Sequence, residues 1–219
     1  FQQPLPSNQK ITFKQPKESV CLISFSKKAP EKIKNYTPTA DSTIRQGLYK
    51  NQNYGGEEHL SVQRHPNSDH NKISFLKFKL EGDTSNIKKA TFRLSGKRLS
   101  PFNYNDMFTF RVYGTHDIKW TEANLKAHNA PMIHQSVSSI QFGSTNQTNP
   151  PLGHMSFHNH FSDSEIDITN YIKENPNKEV GFILIRELKW PNENTEFSHV
   201  ELISKEGDLQ HKPRLQIVY

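Results

Sequence analysis

The chain has 219 residues, enough for one large β domain or for one domain with an extension. Hydrophobic residues make up only 32% of it and aromatics 11%, a balance typical of a thin sandwich core with polar outer faces. The net charge of +6 favours an anionic partner, but the basic residues are dispersed, which argues against a nucleic-acid groove. No apolar run is long enough to span a membrane. The single cysteine, Cys21, excludes an intramolecular disulfide.

The first 38 residues differ in character from the rest of the chain. Their opening is rich in Pro, Gln and Ser, as in a tail or linker, and residues 19–25 form a plausible buried strand. A charged connector follows that stretch. We therefore predict an N-terminal extension or linker over residues 1–38, with a possible extra strand at 19–25, and a β-sandwich over residues 39–219.

From residue 40 onward, short segments that alternate apolar and polar residues recur every ten to twenty positions. The alternation assigns one face of each strand to the core and the other face to solvent. A single helix start, with Asp167 or Thr169 as the capping residue, interrupts the series. The pattern has no βαβ rhythm, and it predicts an all-β fold, an antiparallel β-sandwich of jelly-roll type with one short helix. The predicted strands are 43–44, 59–62, 74–80, 89–94, 108–113, 136–142, 153–161, 180–188 and 213–219.

Basic side chains at outward strand positions are the first binding candidates. Lys77, Arg93 and Arg111 take such positions, and Arg45 and Lys50 lie in or beside the first loop. A uronate glycan repeats a carboxylate at each sugar, and Arg meets a carboxylate through two hydrogen bonds at once. The competing interpretation is that strand exteriors are charged for solubility and for protection of sheet edges.

Aromatic side chains that reach solvent are the second set of candidates, because a sugar ring stacks on an aromatic face. Tyr49 and Tyr54 lie in a loop, and Tyr113 takes an outward strand position. A Trp in a sandwich more often packs in the core, so we interpret Trp120 as structural and leave Trp190 open. The predicted carbohydrate-binding residues are Arg45, Tyr49, Lys50, Lys77, Arg93, Arg111 and Tyr113.

Metal ligands are less clearly marked. His158 and His160 could form a two-point pair, but a transition metal would need a third ligand from elsewhere. Loop carboxylates such as Asp41 and Glu57 supply the hard oxygen ligands that calcium prefers, although no dense acidic loop is present. No cofactor is required by any pattern in the chain, and a structural calcium ion is an open alternative.

Several segments together resemble the DNRLRE-type domain, an alginate-binding carbohydrate-binding module of secreted bacterial polysaccharide-degrading proteins. Their order and spacing carry the resemblance, which covers residues 39–219. The segments are ADSTIRQGLYKNQNYGG with ISFLKFKL, KATFRL with FRVYGTHDIKWTEANLKAHNAP, SEIDITNYIKENPNKEVGFILIRE, and FSHVEL with KPRLQIVY.

This resemblance implies a non-catalytic module that binds an acidic polysaccharide such as alginate. It also implies a secreted or cell-surface bacterial location and a place in a larger secreted multidomain protein, with no nucleic-acid or membrane partner. Two alternatives stay open. A polysaccharide lyase would use Tyr113 with a nearby imidazole for β-elimination, although the chain lacks the short motifs of common hydrolases. A structural or adhesion domain would only space its neighbours.

Overall fold

Within the residues that the structure describes, the chain forms eleven strands and one short α-helix. This computed structural model describes residues 31–65, 67–82, 86–100, 107–131, 150–175, 178–186 and 198–219. The helix α1 is Thr169–Glu174. In chain order the strands are β1 Ile33–Tyr36, β2 Ala40–Arg45, β3 His59–Val62, β4 Lys72–Lys79, β5 Lys89–Leu99, β6 Phe108–Thr115, β7 Gly153–Phe157, β8 Ser162–Asp167, β9 Glu179–Ile185, β10 His199–Ile203 and β11 Arg214–Val218.

The strands form two antiparallel sheets. Sheet A runs in the order β1-β11-β5-β10-β3. Strand β8 lies outside this order and pairs with β5. Sheet B runs in the order β2-β4-β9-β6-β7. Strands that are neighbours in the sheets are mostly distant in the chain, so the fold rests on long-range pairing. The predicted antiparallel β-sandwich with a short helix is confirmed.

The main core lies between the two sheets and is built from the inward residues of the alternating strands. Phe92 of sheet A stacks on Phe182 of sheet B with ring centroids 4.5 Å apart, and Phe78 meets both rings edge to face. A second pair, Phe110 and Phe157, lies parallel at 6.0 Å. Aromatic pairs of this kind add to the free energy of burial, which explains how a chain with few aliphatic residues fills its core.

A second, smaller core covers the outer face of sheet B. Residues 116–131 cross that face, and Trp120 and Leu125 pack there against Phe75, Tyr113 and other outward residues of sheet B. The Trp120 ring meets Phe75 edge to face at 6.3 Å. Trp120 is only 4% exposed, which confirms its structural interpretation. Among the described residues, sheet B is therefore covered on its inner face and on much of its outer face.

Strand β3 joins the edge of sheet A to sheet B. The backbone N–H of Ser61 donates to the Thr43 hydroxyl at 2.9 Å, and the Ser74 hydroxyl donates to the Ser61 carbonyl at 2.8 Å. The N–H and C=O of Gln63 both bond to the backbone of Lys72, at 3.1 and 3.0 Å. Hydroxyl groups on the inner face of sheet B therefore close the sandwich along this side.

The predicted strands and the observed ones differ in bounds, since β5 continues to Leu99 and β7 ends at Phe157, and in number. Strands β1, β8 and β10 were not predicted, and β1 and β8 are rich in polar residues. Asp167 accepts bonds from the N–H and hydroxyl of Thr169 at the start of α1, as the predicted cap requires. The predicted strands at 19–25 and 136–142 and the residue Trp190 lie outside the described residues.

Strand β1 precedes the predicted start of the sandwich at residue 39. It pairs with β11 from Ile33 to Tyr36, so sheet A includes residues that were assigned to the extension. By its internal contacts, the chain separates into Phe1–Pro30 and Glu31–Tyr219. In the described part of the chain, no helix has the length and hydrophobicity needed to cross a membrane.

Candidate functional site

Positive charge collects at one end of the sandwich, where β2, β3, β5 and β9 end and β4, β6 and β10 begin. Arg45 is the last residue of β2 and Lys72 the first of β4, and the two are direct partners across the strand pair. His199, the first residue of β10, lies beside them. We call Arg45, Lys72 and His199 the basic cluster.

The basic cluster places like charges together with little compensation. Among the described residues, neither Arg45 nor Lys72 forms an ion pair, and the Arg45 Nε is buried without a hydrogen-bond acceptor. Like charges directly opposite each other destabilise a strand pair. Burial, followed by the charge of Arg45, lowers the pKa of Lys72 to about 8, and Glu201 only partly opposes this. The arrangement is electrostatically unfavourable for the protein alone.

Burial and the same positive charges lower the pKa of His199. Burial, then Lys72 and Arg45, lower its pKa to about 4, so its imidazole is neutral at physiological pH. Glu201, the carboxylate that acts on Lys72, lies 3.6 Å from His59 Nε2. Arg64, which follows the backbone partner of Lys72, also has a buried Nη1 without a partner among the described residues. The cluster therefore presents hydrogen-bond donors and unneutralised positive charge.

Aromatic side chains adjoin the cluster. The guanidinium carbon of Arg45 lies 4.3 Å from the centroid of the Tyr54 ring, a cation–π contact that fixes the arginine. Tyr49, which is 37% exposed, lies close enough to Tyr54 to act on it electrostatically. Lys50 is exposed in the same loop, and its carbonyl accepts the N–H of Ala127. Arg45, Tyr49 and Lys50 of the predicted site are thus brought together.

Two further arginines lie inside the sandwich at the same end. Arg98 of β5 donates to the Ser198 hydroxyl at 3.0 Å, beside His199. Arg186, directly after β9, places its guanidinium 4.2 Å from the centroid of Phe108. Both are almost completely buried. Cations at inward positions are rare in sandwich cores, and two of them lie at this end of the molecule.

The other predicted residues do not join this site. Lys77 donates to the carbonyls of Ile118 and Trp120, at 3.2 and 2.8 Å, and so anchors the segment that covers sheet B. Tyr113 does point away from the main core, but residues 116–131 cover it and leave it 2% exposed. The expectation that Tyr113 faces solvent is therefore wrong, whereas Lys77 lies half-buried on the outer face of sheet B. Alternation showed which face of the strand they occupy, but it could not show that a distant loop covers that face.

Arg111 and Arg93 lie on opposite sheets. Arg111 is half-buried on the outer face of sheet B opposite His154, where burial and then the Arg111 charge lower the pKa of His154. Arg93 is exposed on the outer face of sheet A and pairs with Asp163. The seven predicted residues therefore fall at three separate places.

Lys72 and His199 were missed as site residues. Lys72 continues the inward series of Leu76 and Phe78 on β4, so a lysine at a core position was the available signal. No comparable signal marked His199, because strand β10 was not among the predicted strands. Only the pairing of β10 within sheet A brings it to the cluster.

Carboxylates collect at the opposite end of β2. Oxygens of Asp41, Glu122 and Glu206 lie within 4.8 Å of one another, and this group does not include Glu57. The backbone N–H of Lys205 donates to Asp41 at 2.8 Å, and its ammonium lies 2.9 Å from Glu122 and also pairs with Glu206. Calcium prefers six to eight such oxygens, whereas here an ammonium group already neutralises two of the carboxylates. The structural calcium ion stays a prediction.

Replacing Asp41 with Asn should flatten the pH dependence of stability. Burial raises the pKa of Asp41 to about 8, far above its ordinary value of 3.8. Between these values the folded state holds a proton that the unfolded state has lost, so this group's contribution to stability falls as pH rises toward 8. We expect the Asn variant to lose fewer degrees of Tm than the wild type between pH 5 and 8.

Thermal unfolding at both pH values, with EDTA and with added calcium, checks this expectation. Equal pH slopes in the two proteins would contradict the shifted Asp41. If calcium binds there, it should raise the Tm of the wild type at pH 8 and leave the Asn variant unchanged.

A comparison with known protein families assigns the chain to one of them. The fold is an antiparallel β-sandwich that carries partly buried cations at one end. The sequence matches the model of carbohydrate-binding module family 96 over residues 32–219, and the chain belongs to that family. Comparison with curated proteins gave no match.

Proposed function

We propose that this module binds an acidic polysaccharide, alginate or another uronate glycan, without cleaving it. Carbohydrate binding follows from the family, and the acidic specificity rests on one observation, the uncompensated basic cluster. An anionic ligand would supply the charge that Arg45 and Lys72 lack. A carboxylate on the ligand would accept from Lys72 and from the fork of Arg45, and His199 would donate to a hydroxyl or a carboxylate.

Aromatic contacts would complete the site. Tyr54 holds the guanidinium of Arg45 in place, so little conformational freedom is lost when a ligand binds. Tyr49 offers an exposed ring at the same place, suited to stacking on a sugar. The lyase alternative named Tyr113 as the catalytic base, and that residue is buried beneath residues 116–131, out of reach of a polymer. This weighs in favour of binding.

The wider biological setting remains part of the proposal. We infer a secreted or cell-surface module of a larger bacterial protein, because a module that binds an extracellular polymer is useful only where that polymer is found. Nucleic acid and membrane are not expected partners, since the cations of the basic cluster form one compact site and not a stripe that would follow a backbone or a bilayer surface.

A panel of polymers tests the proposal directly. Affinity electrophoresis on alginate, pectate, chondroitin sulfate, heparin and a neutral glucan should show retardation by one or more acidic polymers and none by the glucan. Because ion pairs dominate the expected contact, raising the salt concentration should weaken the binding steeply.

The same incubations, followed by absorbance at the wavelength of the unsaturated uronate, test the alternative. Retardation without new absorbance supports a binding module. Retardation by the neutral glucan alone, or affinity that does not change with salt, would contradict the acidic specificity. Rising absorbance would make the protein a lyase.

A further inference from the structure

A polar cleft of about 170 Å³ lies on the outer face of sheet A, away from the basic cluster. Three strands contribute side chains to this cleft: Arg93 of β5, Asp163 of β8 and Arg214 of β11. The turn before β11 forms the remaining wall. The residues that line it are Arg93, Ser95, Asp163, Gln210, His211, Lys212 and Arg214.

Two of the charged groups in the cleft pair with each other, and two further cations do not form ion pairs among the described residues. Asp163 accepts hydrogen bonds from Arg93 and from the Ser95 hydroxyl, which orients both Arg93 and the carboxylate. Arg214 is the direct strand partner of Arg93, so a second guanidinium stands beside the first. Among the described residues, neither Arg214 nor Lys212 has an ion-pair partner. An arginine–carboxylate pair beside free cations suits a ring that carries both hydroxyls and a carboxylate.

An exposed aromatic side chain stands at the cleft. Phe161 is 45% exposed although it is a large apolar residue, and its ring lies 4.8 Å from the lining residue His211, edge to face. His211 is itself held by Asp208, 2.9 Å from its Nδ1. An aromatic face beside fixed polar groups is the arrangement that binds a pyranose, because the ring stacks while its hydroxyls are bonded.

One member of the basic cluster, His199, lies on sheet A together with the cleft, whereas Arg45 and Lys72 belong to sheet B. His199 is the strand partner of Leu99 on β5, and Arg93 lies six positions earlier on the same strand. Six residues of extended strand span about 20 Å. His199 and Arg93 both lie on the outer face of sheet A, because their strand neighbours point into the core. Those neighbours are Val200, Phe92 and Leu94. A polymer several sugars long can therefore reach from one place to the other along the sheet.

We propose that this cleft is a second sugar-binding site, which takes another unit of the same polysaccharide chain. In it Phe161 stacks on the ring, the Arg93–Asp163 pair bonds hydroxyl groups, and Arg214 with Lys212 binds a carboxylate. The inference rests on the proposed function, because a second site on the sheet matters only if the ligand is a polymer. Two weak sites on one chain act together through effective concentration.

A double variant, Phe161→Ala with Arg214→Gln, tests the second site. Both side chains are at the surface, so circular dichroism should show an unchanged fold. We expect its affinity for the polymer that the wild type binds to fall about tenfold or more, because an aromatic contact and a charged hydrogen bond are lost. Lys89→Gln is the matched control, since it removes one exposed charge from the same face of β5 outside the cleft, and it should leave affinity unchanged.

Lys72→Gln, measured in parallel, separates this inference from the proposed function. If Lys72→Gln weakens binding and the double variant does not, the second site is wrong and the proposed function stands. If the wild type binds only the neutral glucan and the double variant weakens that binding, the acidic specificity is wrong and the second site stands. A wild type that binds no polymer in the panel overturns both.

Discussion

Replacing Lys72 with Gln is expected to weaken binding to an acidic polysaccharide about tenfold to a hundredfold. A hydrogen bond to a charged group contributes about 1.5–3 kcal/mol, and each 1.4 kcal/mol is a factor of ten in affinity. Lys72 is the central residue of the basic cluster, paired with Arg45 across the strands and placed beside His199. The protein should nevertheless remain folded, and its stability should not fall.

The expected gain in stability follows from the sign of the pKa shift. In the unfolded chain Lys72 holds its proton up to about pH 10.5, and in the folded protein only up to about pH 8. Below pH 8 the folded state therefore carries an unfavourable buried charge, which the Gln variant lacks. Lower affinity with equal or higher Tm would identify Lys72 as a residue kept for binding at the expense of stability.

Affinity measured against pH provides a second readout. In the wild type, binding should weaken as the pH rises past about 8, since the ammonium group of Lys72 is then lost. The Gln variant should not show that step. Lys79→Gln, an exposed lysine at the other end of β4, is the matched control and should bind as the wild type does. A Lys72 variant with full affinity would contradict the assignment of the site.

Replacing Trp120 with Ala is expected to lower the free energy of unfolding by about 3–5 kcal/mol. The ring is buried against Phe75 and holds residues 116–131 on the outer face of sheet B. Its loss would also remove the ring beneath the Lys77 ammonium, 5.1 Å away. The large cost arises because one side chain supports an entire covering segment.

A milder change separates packing from hydrogen bonding. The indole N–H of Trp120 is buried without an acceptor among the described residues, so Trp120→Phe keeps most of the packing and removes an unsatisfied donor. It should cost less than about 1.5 kcal/mol. Urea unfolding of both variants, beside Leu48→Ala at a highly exposed position, checks these values. A loss below about 1.5 kcal/mol for the Ala variant as well would mean that the Trp120 ring contributes little by packing.

The sequence predicted the sandwich because each strand with an apolar face carries its own alternating signal. Phe92, Phe110 and Leu76 all lie in the core, as alternation requires. Strands without that signal were missed: β8 has the sequence SDSEID, and it belongs to sheet A only because it pairs with β5. Its place is determined by pairing with β5, which an alternation of apolar and polar residues does not reveal.

The site was predicted in part for a similar reason. Arg45, Tyr49 and Lys50 are neighbours in the chain, so a local pattern could suggest them together. Lys72 and His199 reach Arg45 through two different strand pairings, one in each sheet, and no local pattern encodes such a meeting. The burial of Tyr113 likewise depends on a loop that the chain forms after β6.

The closure of the sandwich along β3 affects how copies of this module behave at high local concentration. A sheet edge with unused N–H and C=O groups recruits strands from other molecules and leads to aggregation. At Ser61 and Gln63 those groups are already bonded to Thr43, Ser74 and Lys72. Many copies could therefore crowd along one polysaccharide without adding strands to each other at this edge, and each would stay an independent folding unit.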